Sequence, residues 1–394
     1  MNKTLLMLSA AIAASLPAQA PQSSASPEWK DLTKSGIPIR FYGFFRMDTY
    51  YNTARMNSVV LPATVNAETT TGNDNQFHMD PRLTRFGFDI TPVAVGSTKL
   101  TGKLETDFAN FPTGSSESRE TPRIRLAYID LAQSDFGLRI GQDWDIISPL
   151  YPAVNHELLM WNAGNLGDRR SQIQGRFTPK DTGFELKAAL GLTGAVNNQD
   201  LDVPTGERDG FDSGMPHLQL RAAFDPFSIV DNKPVKIGAW GMYGRTETDT
   251  RFNGENRFEI FAGGLDLQVP ITSALTLRGE VWTGENLGDI RGGIGQTINT
   301  TLGREIGSSG GWGEVVYAHS ATTKFHLGGT IDDPTNADLN SANPSRNMTG
   351  YLGTVLDWES GLRTGFDVIY WETEYKGGTS GNAVRFDLYF QFNF

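Results

Sequence analysis

The C-terminal stretch 384–394, VRFDLYFQFNF, alternates apolar and polar side chains with a period of two. Because successive side chains of a β-strand point to opposite faces, this stretch predicts a strand with one apolar and one polar face. About eleven residues is also the length that a tilted strand needs to cross a bilayer. A half-buried strand of a soluble β-sandwich is the alternative that this segment leaves open. The apolar positions are Val384, Phe386, Leu388, Phe390, Phe392 and Phe394.

The same period recurs from Ile39 onward and predicts about sixteen strands. In the first candidate, 39–51, the charged residues Arg40, Arg46 and Asp48 share one parity, opposite Phe41 and the other apolar positions. A cation facing lipid at the bilayer midplane costs about 2–4 kcal/mol, so the charged parity is predicted to face a lumen. The other candidates are 82–90, 100–108, 123–131, 136–144, 170–178, 184–193, 217–225, 235–244, 257–269, 275–284, 311–320, 324–331, 347–356, 362–373 and 384–394.

The links between the predicted strands alternate in length. Short links such as 132–135 and 357–361 take turns with long ones such as 53–75 and 285–310. This alternation is typical of bacterial outer-membrane barrels, which have tight periplasmic turns and large external loops. The sequence therefore predicts an all-β, transmembrane antiparallel barrel that forms a single domain over 39–394. Sixteen strands enclose a water-filled channel rather than a packed core.

Composition narrows the class further. No apolar run outside the N-terminus approaches the roughly 18 residues of a membrane helix. Cys is absent, which excludes disulfides and thiolate metal sites. The formal charge of −11, with no basic tract to offset it, argues against nucleic acid as a partner.

The N-terminus is typical of an exported protein. Residues 1–20 combine Lys3, an apolar core over 5–16 and Ala18-Gln19-Ala20 as a cleavage site, which predicts a signal peptide. Pro21 disfavours a cut directly before it, so cleavage after Ala25 is the alternative. Residues 21–38 are expected to be a short periplasmic lead-in.

Sorting the charges by parity predicts a lumen with more Arg and Lys than Asp and Glu. The acidic excess of the chain then lies largely in the links, notably 200–212 and 332–338. An acidic mouth above a net basic lumen predicts a preference for anions, since rings of Arg and Lys favour them. The alternative is that many of these charges pair across neighbouring strands.

The link after the fifth strand, 145–169, is unusually apolar, with residues such as Ile147, Leu150 and Trp161. Apolar side chains need cover, so we expect this link to fold inward against the wall and to narrow the pore. Packing on a neighbouring subunit or on other loops is the alternative. Four acids near it would then face three wall arginines across the constriction, where Arg169 also lies. The predicted set is Arg46, Arg85, Arg125, Asp143, Asp145, Glu157, Asp168 and Arg169.

Three stretches carry a family resemblance: RIGQDWDIISPL at 139–150, NLGDRRSQIQGRF at 165–177 and the terminal FQFNF. With a constricting third loop they resemble the trimeric outer-membrane porins, most of all the DcaP-like group. The resemblance implies a homotrimer of separate channels and passive uptake of small, often anionic solutes. It also implies contact with outer-membrane lipid and lipopolysaccharide, and assembly through the terminal aromatics Phe390, Phe392 and Phe394 by the barrel-assembly machinery.

Other motifs predict no catalytic residue, cofactor or metal. His156-Glu157 lacks a second zinc ligand because position 160 is Met. Asp200, Asp202, Glu207, Asp209 and Asp212 have oxygen ligands for calcium but not the EF-hand spacing, so a solvated acidic loop is favoured. The functional alternatives to a porin are an outer-membrane phospholipase or protease barrel, which would need a nucleophile and base at matching height, and a structural or adhesin barrel.

Overall fold

The computed structural model describes residues 36–110, 120–154, 159–202 and 206–394. Seventeen strand segments of these residues form the main sheet. Two of them, Gln76–Asp80 and Arg85–Val95, pair with the same first strand one after the other and are counted as one strand. The sheet is therefore a closed ring of sixteen strands. The strands are β1 (Ile39–Asn52), β2 (Gln76–Asp80 and Arg85–Val95), β3 (Thr98–Asp107), β4 (Arg123–Gln133), β5 (Phe136–Trp144), β6 (Arg169–Phe177), β7 (Phe184–Gly191), β8 (His217–Phe224), β9 (Lys236–Phe252), β10 (Glu255–Pro270), β11 (Leu275–Glu285), β12 (Gly307–Ala318), β13 (Thr323–Pro334), β14 (Pro344–Asp357), β15 (Leu362–Tyr375) and β16 (Gly381–Asn393).

Every neighbouring pair in the ring is antiparallel, and β1 closes it against β16. The predicted all-β antiparallel barrel is therefore confirmed. At the seam Arg46 pairs with Gln391, and Asp387 lies opposite Tyr50. The alternation of apolar and polar residues predicts which face a residue is on but not its partner, because a shift of two residues leaves the faces unchanged.

The two faces of the strands are chemically distinct, as their parity predicted. In β1 the side chains of Phe45 and Met47 point outward and are 63% and 41% exposed. Asp48, on the opposite face of the same strand, is buried. In β16 the buried residues include Arg385, Asp387 and Tyr389, and the alternating Phe390 and Phe392 are exposed. The outer surface of the ring is thus apolar and its inner face is polar.

Two bulges explain where the alternation along the sequence weakens. In β2 an extra residue between Asp80 and Arg85 lets both side chains face inward although their numbers differ in parity. In β4 the pairing with β3 shifts after Glu105, next to Leu126. A bulge inserts one residue into one strand and so reverses parity beyond it.

Most links are short at one end of the ring and long at the other, as predicted, but 253–254 and 376–380 are short links at the long-loop end and 225–235 is a long link at the short end. The short end has 96–97, 134–135, 178–183, 225–235, 271–274, 319–322 and 358–361. The long-loop end has the first loop (53–75), second loop (108–122), third loop (145–168), fourth loop (192–216), fifth loop (253–254), sixth loop (286–306), seventh loop (335–343) and eighth loop (376–380). No helix among the described residues is both long enough and apolar enough to cross a membrane.

Several predicted strand ends were wrong. The largest error concerns β9, which was expected to end at Gly244 but continues to Phe252 and turns directly into β10 through Asn253 and Gly254. Residues 245–251, RTETDTR, are polar on both faces, so they lack the alternation that marks a strand in sequence. The second strand likewise begins at Gln76 rather than Arg82.

Candidate functional site: the barrel interior and its third loop

The third loop is bound through its backbone to inward-facing side chains of distant strands. The N–H of Ile146 donates to Gln219 of β8 at 2.8 Å. The N–H of Leu150 donates to Glu280 of β11 at 2.8 Å, and that of Ala153 donates to Glu314 of β12 at 2.9 Å. Because these acceptors lie progressively farther around the ring from β5, the loop runs along the inner face of the wall.

Apolar side chains of the third loop pack in two clusters. One cluster joins it to the first loop and to the inner face of β14–β16; the other joins it to the sixth loop and to the inner face of β9–β11. We call the inner face of β9–β15 the packed wall. Its buried apolar members include Trp240, Met242, Trp282, Ile369 and Trp371.

Hydrogen bonds and ion pairs fix both ends of the third loop. Arg170, at the start of β6, is fully buried and its guanidinium lies 2.7 Å from Asp145 and 2.7 Å from Asp289 of the sixth loop. Gln219 donates to the same carboxylate of Asp145 at 2.6 Å. Since each buried charge has a partner of opposite sign, this cluster ties the third and sixth loops to the wall.

Asp168 forms the second anchor of the loop. Its carboxylate pairs with Arg169 at 3.3 Å and with Arg291 of the sixth loop at 2.9 Å. Burial alone would raise the pKa of Asp168, but the guanidiniums of Arg291 and Arg169 outweigh it and hold the pKa below its usual range. The carboxylate is therefore charged at neutral pH.

Arginines and tryptophans alternate beside this anchor. The guanidinium of Arg169 lies 4.7 Å from the ring centre of Trp144, and that of Arg291 lies 5.4 Å from the ring centre of Trp161. The two tryptophan rings are 6.0 Å apart. Guanidiniums over indole faces are held by cation–π attraction, so the rings orient the two cations.

The inner face of β2–β7 is built differently, and we call it the open wall. Its ionised side chains pair with one another across strands and keep part of their surface in solvent. Arg139 and Arg176 share Asp130 at 2.9 Å and 2.6 Å, with side chains 28% and 27% exposed. The other partly exposed members include Arg85, Asp89, Lys103, Arg123, Glu185 and Lys187.

Arg46, Arg85 and Arg125 lie on the inner face, and each has an acidic neighbour on the wall itself. Arg46 pairs with Asp48 of its own strand at 2.6 Å. Arg85 lies 3.8 Å from Glu105, and Arg125 pairs with Glu105 at 2.9 Å.

Three of the four acids near the third loop have other arginines as partners. Asp143 pairs with Arg139 at 2.6 Å, while Asp145 and Asp168 bind the anchoring arginines described above. Cross-strand and same-strand neighbours at hydrogen-bond distance displace the more remote partners that the sequence suggested. Glu157 and His156 lie outside the described residues.

Sequence reasoning missed the arginines that hold the loop, Arg170 and Arg291, and the inward tryptophans. For Arg170 a signal existed, because it shares its parity with Arg176, which was assigned to the lumen. For the tryptophans the signal was their parity too: Trp240 and Trp282 stand at inward positions where polar residues were expected. Such positions indicate a wall that another segment covers.

The fold is shared with solved outer-membrane proteins of low sequence identity. The outer membrane channel DcaP of Acinetobacter baumannii matches with a TM-score of 0.75 at 14% identity, covering 92% of this chain and 99% of that one. OmpF of Salmonella typhi, in complex with daunomycin, gives 0.59 at 12% identity, with coverage of 93% and 100%. The trimer form of OmpT of Vibrio cholerae gives 0.57 at 13% identity, with coverage of 90% and 99%.

These matches confirm, at the level of fold, the resemblance to DcaP-like porins that the sequence suggested: the chain has the sixteen-stranded fold of the outer-membrane porins. No protein-family model matches the chain, and no curated protein matches its sequence.

Proposed function

We propose that this protein is an outer-membrane porin that lets small hydrophilic solutes diffuse passively through a water-filled lumen. The observation that carries the proposal is the open wall: a band of ionised side chains on the inner face of a closed barrel, many of which keep part of their surface in solvent. Charged groups need water or partners, and a sixteen-stranded barrel is wide enough to admit water.

The third loop narrows this lumen in the proposed mechanism. It occupies the side of the interior next to the packed wall, through bonds to Glu280 and Glu314, so the remaining passage follows the open wall. Arg169 and Asp168 at the end of the loop then supply charges to the edge of the passage, and Arg85 and Arg125 supply them from the wall. A solute with a dipole is oriented by opposite charges held in a narrow space.

We further propose that the passage prefers anions. The cations of the open wall and its edge outnumber the carboxylates among them. The cations are Arg85, Lys103, Arg123, Arg125, Arg139, Arg169, Arg176 and Lys187, and the carboxylates are Asp89, Glu105, Asp107, Asp130, Asp143, Asp168 and Glu185. An excess of fixed positive charge raises the local concentration of mobile anions.

The surroundings of the channel are also part of the proposal: export by the signal peptide 1–20, insertion into the Gram-negative outer membrane, and a homotrimer. The trimer form of OmpT, which has a similar fold, supports the oligomeric state. The exposed Phe390, Phe392 and Phe394 at the end of β16 support a role as an assembly signal, because they are accessible on the outer surface.

Planar-bilayer recording tests the proposal. We expect stepwise, ohmic currents from the purified protein and, in a KCl gradient, a reversal potential of the sign that Cl⁻ permeation gives. A bilayer that stays silent contradicts the channel, and a K⁺-selective sign contradicts the anion preference alone. Assays for released fatty acid and peptide in detergent address the barrel-enzyme alternative, and turnover without conductance would replace the porin by it.

A further inference from the structure

The fourth loop collects carboxylates into one cluster. Side-chain oxygens of Asp200, Asp202 and Asp209 all lie within 4.8 Å of one another. Asp209 opens the single helical turn Asp209–Asp212, which brings the carboxylate of Asp212 to the same part of the loop. A solvated acidic loop was expected here, but Asp202 and Asp209 are buried.

Burial without a counter-ion sets this cluster apart. Asp202 is 6% exposed and Asp209 is fully buried. The Oδ1 atom of Asp202 and the Oδ2 atom of Asp209 are shielded from solvent, and no described residue donates a hydrogen bond to either; the same holds for Asp200 Oδ1 and Asp212 Oδ2. No Arg, Lys or His of the described ranges pairs with any of the four carboxylates.

Isolated buried carboxylates are unfavourable, and proteins normally pair them or use them to coordinate metals. The burial of Asp202 and Asp209 without a cationic partner therefore points to a bound ion as the source of positive charge.

The remaining oxygens of two cluster members are held by backbone groups. The N–H of Thr250 on β9 donates to Asp202 Oδ2 at 2.6 Å. The N–H of Leu201 donates to Asp209 Oδ1 at 3.3 Å. Each carboxylate thus has one oxygen held by the backbone and the other buried without a hydrogen-bond donor among the described residues, which reduces the ordering that a bound ion would have to impose.

We propose that Asp200, Asp202 and Asp209 bind one Ca²⁺ ion, with Asp212 as a further acidic oxygen donor, and that the ion fastens the fourth loop to β9. A hard cation matches an all-oxygen ligand set. The three oxygens lie within 4.8 Å of one another, so one ion can contact all of them. Mg²⁺ is usually held by one or two carboxylates and keeps several waters, whereas Ca²⁺ takes several carboxylate oxygens, so the cluster favours calcium. The site is not an EF-hand, because its ligands flank residues 203–205 without that spacing.

Calcium titration by isothermal calorimetry tests the site on protein refolded in detergent, free of lipopolysaccharide and treated with EDTA. CaCl₂ should bind at one ion per chain, and MgCl₂ should bind more weakly. In the double variant Asp202→Asn/Asp209→Asn the affinity should fall by roughly tenfold or more, because the number of ligand charges tunes calcium affinity. The control is Glu68→Gln/Asp74→Asn in the first loop, which removes the same charge from outside the cluster and should bind calcium as the wild type does.

Three results would overturn the proposal: no calcium heat from the wild type, equal binding of Mg²⁺, or equal loss of binding in the control variant. If the double variant does not fold, the wild type still decides, since EDTA should lower its unfolding temperature and excess Ca²⁺ should restore it. None of these readouts depends on conductance, so the result is independent of the proposed channel.

Discussion

The open wall and the packed wall are two halves of one barrel that place opposite chemistry on equivalent positions. On β2–β7 the inward side chains include cations that remain about a quarter exposed, such as Arg139 and Arg176 around Asp130. On β9–β15 they include the buried Trp240, Trp282 and Trp371, covered by loops. The difference teaches that inward parity in a barrel does not by itself mean contact with water, because a loop can turn part of the lumen into a core.

The difference in burial predicts a difference in stability, which two arginines of one strand can test. Arg170 and Arg176 lie on β6 with the same inward parity, yet Arg170 is buried between two carboxylates under the loops while Arg176 is partly exposed on the open wall. Removing one partner of a buried ion pair leaves an uncompensated charge, whereas exposed pairs contribute little.

The largest effect is therefore expected for Arg170→Met. It should lower the free energy of unfolding by about 3–5 kcal/mol, because Asp145 and Asp289 would remain buried and charged. Arg176→Met is the matched control and should cost about 0–1 kcal/mol. Denaturant unfolding in detergent measures both, and equal costs would mean that the loops do not give Arg170 a more buried environment than that of Arg176.

The next largest effect on stability is expected from losing the hydrogen bond between Trp282 of the packed wall and the third loop. The indole N–H of Trp282 donates to the carbonyl of Gly164 at 2.7 Å, whereas the indole N–H of Trp240 has no hydrogen-bond partner among the described residues. Trp282→Phe should destabilise the barrel by about 1–3 kcal/mol more than Trp240→Phe, since only the former leaves a buried acceptor unpaired. Open-channel noise should also rise only in Trp282→Phe. Matching unfolding curves for the two variants would count against a loop held at this point.

A charge change on the open wall should alter selectivity with little effect on stability. Arg85→Gln removes a cation from the wall, and an interaction of about 1 kcal/mol with a passing ion corresponds to roughly a fivefold change in permeability at most. The reversal potential should move toward that of a cation-selective pore. Arg257→Gln, an outward and 62% exposed cation near the long-loop end, is the control and should leave the potential unchanged. Equal shifts would place the selectivity outside the lumen.

The smallest expected effect is that of salt on the wild type. Raising KCl from about 0.1 M to 1 M shortens the screening length from about 10 Å to about 3 Å. Fixed charges that are partly exposed are screened, so the ratio of Cl⁻ to K⁺ permeability should decline toward that of free solution. A ratio independent of salt would indicate selection by buried groups instead of the open wall.

Much of the fold follows from the two-residue period, and the reasons for the exceptions are local. The bounds of β5, 136–144, were predicted as observed, since apolar and polar positions alternate along its whole length. The end of β9 was missed because 245–251 are polar on both faces, and the bulges of β2 and β4 were missed because a parity change resembles the end of a strand.

The candidate site was less predictable than the fold. The inward position of Arg46, Arg85 and Arg125 follows from parity, but their partners depend on register and on which loop comes near. The pairing of Arg170 with Asp289 joins residues far apart in sequence, and no local pattern encodes it. The acidic fourth loop shows the same limit, because the spacing of its acidic residues along the sequence does not predict that Asp202 and Asp209 lie close together.

Thiol labelling during conductance tests the two-wall account most directly, and the absence of Cys from the chain makes single substitutions clean probes. Lys103→Cys lies on the open wall and Met242→Cys on the packed wall, where the native side chains are 23% and 3% exposed. A charged methanethiosulfonate reagent added to an open channel should reduce the current through Lys103→Cys and leave Met242→Cys unaffected. Equal labelling of both positions, or labelling of Met242→Cys alone, would contradict a passage that follows the open wall.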